Sequence, residues 1–268
     1  MDLLQALLIA IVEGLTEYLP ISSTAHMIFT SAAFGIQEDD FVKLFQTAIQ
    51  FGAILAVVVL YWKKFFDFTK INFFVKLACA VMPALVLGYI FDDYIDAVLG
   101  NPIPIAIVLI LGGFVLLFID NYFKNPKILK EEDITIKKGV TIGFWQCLAM
   151  MPGTSRSAAS IIGGMQQGLS REVAAEFSFF LAVPTMLAVT TYSILLKTYE
   201  QTGLKGYELL MEGERLKLFF IGNVVAFIVS ILAIKVFIGA IKKYGFKPWG
   251  YYRIIVGSFL LIYFIYFK

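Results

Sequence analysis

Six long apolar stretches, each with at most one charged residue, recur along this chain. A helix that crosses a bilayer needs about 20 mainly apolar residues, and the stretches that reach or approach this length are 44–62, 77–91, 97–119, 177–196, 218–241 and 248–267. The chain is 59% hydrophobic and 16% charged, whereas soluble domains are about half apolar and about a quarter charged. The sequence therefore predicts an all-α integral membrane protein with six transmembrane helices.

Two further apolar regions, residues 3–34 and 139–168, are each interrupted by a polar turn that contains proline. Broken helices at membrane depth persist only when they are buried in protein or line a wet cavity. Each region is predicted to form two short helices joined by its turn, with Pro20 ending the first helix of the first region. We interpret both regions as re-entrant helical hairpins.

The charges of the connecting segments predict the orientation. Lysines cluster around residues 63–76, 124–138 and 242–247, whereas the 92–102 loop has three aspartates and no basic residue, and the 197–217 loop is mixed. The positive-inside rule places the lysine-rich connections in the cytoplasm and the other two outside. Both chain ends then lie outside, and the protein is predicted to be multi-pass in the inner (plasma) membrane.

The two halves of the chain share one order of elements, a hairpin followed by three spans. Residues 19–23 precede residues 151–155 by 132 positions, and at this offset Phe45 matches Phe177. Because each unit crosses the membrane three times, the second unit begins on the opposite side from the first and has the opposite orientation. The pattern therefore predicts an inverted-topology repeat. We expect a single membrane domain, with residues 1–123 and 124–268 as its two repeats and with hairpin tips that meet at mid-depth.

The first polar turn follows two carboxylates, Glu13 and Glu17. Their spacing of four places them on one face of a helix, one turn apart. Two like charges this close favour a cation between them, and Mg²⁺ or Ca²⁺ is suited if water and substrate phosphate complete the shell. The alternative is a polar pair that caps a helix near the membrane surface.

Hydroxyl groups and the single histidine of the chain follow directly. Ser22, Ser23 and Thr24 can cap the next helix, and hydroxyls with free N–H groups at a helix start also bind phosphate. His26 lies three residues after Ser23, on the same helical face, which favours a catalytic role over a structural one.

The second polar turn, residues 152–157, supplies the positive charge. Gly153 permits close approach of the backbone to a ligand, and Arg156 offers a planar fork for phosphate oxygens. The other predicted phosphate-binding residues of this turn are Thr154, Ser155 and Ser157. Arg156 requires an anionic partner, for which the candidates are Glu13, Glu17, Glu176 and a substrate. A purely structural Arg–Glu pair is the alternative.

Together these groups favour phosphoryl transfer, in which positioning and charge neutralisation supply most of the catalysis. A soluble substrate would not need a site inside the bilayer, but a lipid that carries a pyrophosphate would. The rival class is a lipid flippase or transporter, since inverted repeats with broken helices are typical of transporters. A purely structural subunit would leave the buried polar groups unexplained. The chain shows no clustered basic face, so a nucleic-acid partner is excluded.

Three motifs carry a resemblance to a known family. Glu13-Gly-Leu-Thr-Glu17, Leu19-Pro-Ile-Ser-Ser-Thr-Ala-His26 and Pro152-Gly-Thr-Ser-Arg-Ser157 resemble the undecaprenyl-pyrophosphate phosphatase family, the bacitracin-resistance type. The resemblance implies hydrolysis of undecaprenyl pyrophosphate to undecaprenyl phosphate and inorganic phosphate, which recycles the carrier lipid for cell-wall synthesis. It also implies a divalent cation, and it places the family's functional residues on Glu13, Glu17, Ser22, Ser23, His26 and Arg156.

The sequence departs from this family at two small residues. Ala25 stands where the family commonly has glycine before the histidine, and Ala158 stands where glycine commonly follows the Ser-Arg-Ser segment. Both changes make the local backbone less permissive but remove no reactive group.

The resulting hypothesis is a cleft open to the outer face, in which Ser23 attacks the terminal phosphorus after activation by His26 or a glutamate. Two variants stay open, with His26 as the nucleophile or with direct attack by water. The expected partners are a polyprenyl pyrophosphate lipid and the surrounding membrane lipids. The oligomeric state stays open, with a homodimer as one option.

Overall fold

The computed structural model describes residues 1–99 and 101–266, without the side chains of Asp93, Asp96 and Ala97. This part of the chain is all-helical and has no β-strand. The helices are α1 Leu3–Thr16, α2 Ser23–Ala33, α3 Asp40–Ala48, α4 Gln50–Leu60, α5 Trp62–Phe65, α6 Ile71–Ile90, α7 Asp92–Leu99, α8 Pro102–Tyr122, α9 Ile136–Gln146, α10 Arg156–Gln166, α11 Arg171–Leu195, α12 Gly206–Leu210, α13 Arg215–Tyr244 and α14 Lys247–Tyr266. Short 3₁₀ turns occupy Glu131–Asp133 and Cys147–Met150.

The six predicted membrane helices are confirmed within the described residues. Six segments are long and apolar enough to cross a membrane: α3 together with α4, and α6, α8, α11, α13 and α14. The protein is therefore a multi-pass membrane protein. The last predicted span ends at Phe267, which lies outside the described residues.

The segment before α8 was predicted incorrectly. The span expected over 97–119 begins instead at Pro102, because the Asn101 side chain caps the helix and proline suits its first turn. Residues 92–99, predicted to be part of a loop, form α7. Asp92 stands at its start, where a carboxylate stabilises a helix, and it accepts a hydrogen bond from the Tyr192 hydroxyl at 2.9 Å. The side chains of Asp93 and Asp96, used in the charge argument, lie outside the described part.

Each interrupted apolar region forms two helices joined by a polar turn, as predicted. The first helix, however, ends at Thr16 and not at Pro20. Leu19 is disfavoured in a helical conformation because it precedes proline. In addition, the fully buried Tyr18 donates its hydroxyl to the carbonyl of Ala53 at 2.7 Å, which directs the chain into the core.

The first helix of each region packs closely on a membrane helix through a glycine. At Gly14 of α1, an added Cβ would lie 2.7 Å from the Val229 Cβ of α13. At Gly143 of α9, it would lie 1.9 Å from the Ala80 carbonyl oxygen of α6. Because small residues permit such close approach in membrane proteins, both polar turns are held inside the helix bundle.

The lysine-rich connections meet at one end of the bundle. Lys64 and Lys76 reach Glu131 at 3.2 and 2.7 Å, which joins the first connection to the second. Asp120 accepts from the backbone N–H of Phe246 at 2.7 Å, which joins the end of α8 to the third. The 92–99 segment and the connection after α11 lie at the opposite end, as the charge pattern predicts.

Candidate active site

The two polar turns lie together in the structure. The Arg156 side chain donates to a Glu17 carboxylate oxygen at 2.7 Å. The Ser157 hydroxyl donates to the carbonyl of Tyr18 at 2.9 Å. Residues 139 positions apart are thus in direct contact, and of the three glutamates considered as partners of Arg156, Glu17 is the one that it contacts.

Glu17 is the centre of this arrangement. One carboxylate oxygen accepts from Arg156, and the other accepts from the Ser23 hydroxyl at 2.5 Å. The Glu17 and Arg156 side chains are only 5% and 8% exposed. A carboxylate that accepts a hydrogen bond from a serine and contacts a guanidinium in a water-poor setting is suited to activate that hydroxyl.

Arg156 is oriented by the main chain of α11. Its Nη1 donates to the carbonyl of Ser178 at 2.8 Å, while its buried Nε has no hydrogen-bond partner among the described residues. Two bonds therefore hold the guanidinium plane in place, and the remaining N–H groups of Nη1 and Nη2 are available to a bound anion.

The second helices of the two regions begin in the same way. Ser22 and Ser155 are the N-caps of α2 and α10, with φ of 70° and 75°, and each side chain accepts from the backbone N–H three residues later. Serines rarely adopt such positive φ values, which are typical of functional sites. Both helices have 11 residues and present free N–H groups at their starts.

This capping geometry corrects the predicted register between the halves. Ser22 and Ser155 are 133 residues apart, not 132, and Ser23 is therefore equivalent to Arg156. The extra residue lies between proline and cap, because one residue separates Pro20 from Ser22 and two separate Pro152 from Ser155. The two turns thus contribute different chemistry, a hydroxyl and a guanidinium, from equivalent positions.

A cavity of about 450 Å³ contains the site. Glu17, Ser23 and Arg156 line its polar end, and Asp92 and Lys197 line it at the end of the bundle opposite the lysine-rich connections. Its remaining wall is mostly apolar and comes from α6, α11 and the 147–150 turn. Its volume is typical of a ligand site.

The residues predicted to bind phosphate divide into two groups. Ser22, Thr24, Gly153 and Ser155 line the cavity. Thr154 and Ser157 do not, because the Thr154 carbonyl accepts from Arg253 and the Ser157 hydroxyl is used by Tyr18. At Gly153, φ is +93° and an added Cβ would lie 2.5 Å from the Ile105 carbonyl oxygen, so glycine is required at this position.

His26 is not placed against Ser23, although both lie on α2. Its Nδ1 is 2.7 Å from the carbonyl oxygen of Ser22, and its Nε2 is 2.9 Å from the Tyr252 hydroxyl of α14. The Ser23 hydroxyl is directed to α1 instead, because the Glu17 carboxylate lies within hydrogen-bond distance there. His26 holds the first turn against α14 and is not bonded to the candidate nucleophile.

Glu13 lies one helical turn before Glu17 and is fully buried. Neither of its carboxylate oxygens has a hydrogen-bond partner in the part of the chain that the structure describes. That part contains no group of three or more His, Cys, Asp or Glu residues that could hold a metal. Two carboxylates with unused lone pairs still fit Mg²⁺ or Ca²⁺, which take further ligands from water and phosphate.

Sequence reasoning missed three residues of the site: Ser178, Tyr252 and Arg253. Ser178 orients Arg156 through its main-chain carbonyl, which no side-chain pattern reveals. Tyr252 resembles any aromatic residue of a membrane helix. Arg253 had a clear signal, because a charged residue within a membrane span indicates a functional role.

Fold and site define the class of this protein: a multi-pass membrane protein with a buried Glu17–Arg156–Ser23 cluster between two broken helical regions. The family model described as bacitracin resistance protein BacA matches residues 6–259, and the chain belongs to this family. An undecaprenyl-diphosphatase of Flavobacterium johnsoniae is 52% identical, with 98% of this chain and 96% of the relative covered. Relatives of the same name from Porphyromonas gingivalis and Campylobacter jejuni are 47% and 44% identical, over 98% and 99% of this chain and 96% of each relative.

Proposed function

We propose that this protein is an undecaprenyl-diphosphatase, an enzyme that hydrolyses undecaprenyl pyrophosphate to undecaprenyl phosphate and inorganic phosphate. The relatives' names support the substrate. The observation that carries the reaction is the Glu17 carboxylate, which contacts both the Ser23 hydroxyl and the Arg156 guanidinium. A flippase or transporter would need ligand contacts but would gain nothing from a serine bonded to a buried carboxylate.

The pyrophosphate binds at the polar end of the cavity. Arg156 and the free N–H groups at the starts of α2 and α10 hold its oxygens, since both helix N-termini carry positive partial charge. The first part of the prenyl chain follows the apolar wall and continues into the bilayer, among the membrane lipids.

In the chemical step, the Ser23 oxygen forms a bond to the terminal phosphorus as its proton passes to Glu17. The bridging P–O bond breaks, and undecaprenyl phosphate leaves. Water then attacks the phosphorus of the phosphoserine, the bond between the Ser23 oxygen and phosphorus breaks as Glu17 returns its proton to that oxygen, and inorganic phosphate is released. Glu17 is the activating base in this proposal because it contacts Ser23, whereas both ring nitrogens of His26 have other partners.

Glu13 and Glu17 would hold the divalent cation. When bound, the cation would neutralise negative charge on the phosphate oxygens. The unpaired oxygens of Glu13 support this assignment, because a buried carboxylate without partners is unfavourable unless a proton or cation joins it.

The first expected result is phosphate release from undecaprenyl pyrophosphate by the purified protein in detergent. Chelation with EDTA is expected to lower the rate about 100-fold, and added Mg²⁺ or Ca²⁺ to restore it, because the cation offsets transition-state charge. Malachite-green detection of phosphate measures the rate before and after the cation is added back.

Glu13→Gln should raise the cation concentration needed for half-maximal rate. Glu214→Gln, at an exposed surface position, is its matched control. A wild-type protein that releases no phosphate with either cation would refute the enzymatic function.

We further propose that the chain is one membrane domain of two inverted repeats, residues 1–123 and 124–268. The packing supports this. If α1, α4, α6 and α8 correspond to α9, α11, α13 and α14, the most extensive contacts have counterparts: α1 with α13 and α9 with α6, and α4 with α13 and α11 with α6. The pairs α4–α11 and α8–α14 then lie on the two-fold axis. A homodimer stays a prediction from the sequence.

Under the same proposal, both broken regions are re-entrant hairpins, and the active site opens to the outer face of the inner membrane. Its support is the charge pattern together with the cavity, which extends from Glu17 towards Asp92 and Lys197, away from the lysine-rich end.

Cysteine labelling tests this orientation. Single cysteines at Tyr94 and Leu129, both well exposed, are introduced after Cys79 and Cys147 are replaced with alanine. A membrane-impermeant maleimide added to intact cells is expected to label position 94 and not position 129, and lysis should expose position 129. Labelling of position 129 in intact cells, with position 94 protected, would reverse the orientation.

A further inference from the structure

Arg253 is a fully buried arginine on the second turn of α14. No carboxylate pairs with it among the described residues, so its charge is not neutralised by an acidic side chain. A buried cation is unfavourable unless its donors are satisfied. The contacts that satisfy this guanidinium therefore indicate what the residue does.

All of those contacts are main-chain carbonyls. The Nη1 group donates to Pro20 at 3.0 Å and to Thr154 at 2.9 Å, and Nη2 donates to Gly153 at 2.8 Å. The remaining bonds go to two carbonyls of α8, those of Val108 and Leu109. One side chain thus binds both polar turns of the site and fastens them to the same membrane helix.

These bonds also determine which way the backbone amides of the second turn point. The chain has no cis peptide bond in its described part, and in a trans peptide the C=O and N–H groups lie on opposite sides. Since the Thr154 carbonyl points to Arg253, the Ser155 N–H points away from it. Ser155 lines the cavity, and its N–H, like those of Arg156 and Ser157, has no hydrogen-bond partner within the described residues.

We propose that Arg253 is a positioning residue for phosphoryl transfer. It binds the carbonyl sides of both turns and so holds the N–H groups of α2 and α10 on one phosphate group. It touches neither substrate nor reacting atoms. The inference rests on the proposed function and adds to it the residue that joins the two halves of the site.

Gly112 offers a way to disturb this guanidinium without removing its charge. An added Cβ at Gly112 would lie 2.1 Å from Nη2 of Arg253 and 2.7 Å from its Cζ. Gly112→Ala therefore displaces the guanidinium from the Gly153 carbonyl. Gly239→Ala is the matched control, because an added Cβ there meets nothing within 4 Å.

The test compares Arg253→Met, Arg253→Lys and Gly112→Ala with wild type and the Gly239→Ala control. The kcat for phosphate release is measured per folded molecule, with the folded fraction taken from size-exclusion chromatography in detergent. We expect kcat to fall about 100-fold for Arg253→Met, as for loss of one transition-state donor, and about tenfold for Arg253→Lys and Gly112→Ala. KM should change less than threefold, because the lipid chain supplies much of the substrate binding.

A merely structural role would lower the folded fraction and leave kcat per folded molecule unchanged. Unchanged kcat in Gly112→Ala and Arg253→Lys would therefore overturn the proposal, even if Arg253→Met does not fold. Hydrogen exchange supplies a readout independent of activity. In Gly112→Ala, the backbone amides of both turns, residues 20–25 and 152–158, should exchange faster than in wild type. If neither turn exchanges faster, the proposal is also overturned. If wild type itself releases no phosphate, the proposed function fails, which is a distinguishable result.

Discussion

Replacing Glu17 with glutamine is expected to lower kcat for phosphate release about 1,000-fold. Glutamine keeps the shape of the side chain but cannot take up the Ser23 proton, and it leaves the charge of Arg156 without its 2.7 Å partner. General base catalysis alone contributes about 10²–10⁴-fold. The measurement is steady-state phosphate release from undecaprenyl pyrophosphate, with Glu214→Gln at the exposed surface as the control.

Ser23→Ala is expected to cause a loss of similar size, and the double variant no greater loss than either single change. Groups that act as one unit have strongly non-additive effects, and Ser23 donates to Glu17 at 2.5 Å. If the two losses multiply instead, the residues act independently and the proposed unit is wrong.

Acid quenching of a single turnover with terminally ³²P-labelled substrate identifies the nucleophile. We expect the label on Ser23 in wild type. Label on His26 would transfer the nucleophilic role to the histidine, and label on neither residue in a competent turnover would support direct attack by water.

Arg156→Lys is expected to lower kcat by about 10³-fold, although it keeps the positive charge. The guanidinium reaches Glu17 and the Ser178 carbonyl at once, at 2.7 and 2.8 Å. Lysine has no planar fork and cannot keep both bonds while contacting a phosphate oxygen. Arginines that stabilise phosphoryl-transfer transition states contribute about 10³–10⁵-fold.

Two controls separate this effect from general destabilisation. Arg171→Lys changes an arginine at the opposite, lysine-rich end, where Arg171 is bonded to Asp120, and should leave kcat unchanged. Ser178→Ala removes a hydroxyl 3.5 Å from Arg156 but keeps the carbonyl that orients it, so its effect should be below tenfold. Arg156→Lys activity within tenfold of wild type would contradict the proposed role.

The two turns contribute different side chains to the site. Ser23 and Arg156 occupy equivalent positions after the capping serines, so similar caps present a hydroxyl in one turn and a guanidinium in the other. Glu17 joins them. Neither turn alone contains both groups.

Much of the fold could be predicted from local pattern. The lengths of the apolar stretches identified the six membrane helices, because a helix that crosses the hydrocarbon core must be mainly apolar along its whole length. Polar residues with proline marked the two broken regions, because such residues are unfavourable at membrane depth. The 92–99 helix was missed because a short polar helix resembles a loop when only charge is considered.

Composition and charge along the chain were sufficient to predict that this is a membrane protein, that the lysine-rich connections lie at one end, and which residue types form the site. They could not show that Ser23 contacts Glu17 while His26 contacts Tyr252, or that Arg253 binds both turns. The Ser23–Glu17 contact depends on how the chain turns between α1 and α2, and the others join residues 99 to 233 positions apart in sequence. Side-chain identity is local, but the direction of a hydrogen bond is decided only when the packed helices bring donor and acceptor together.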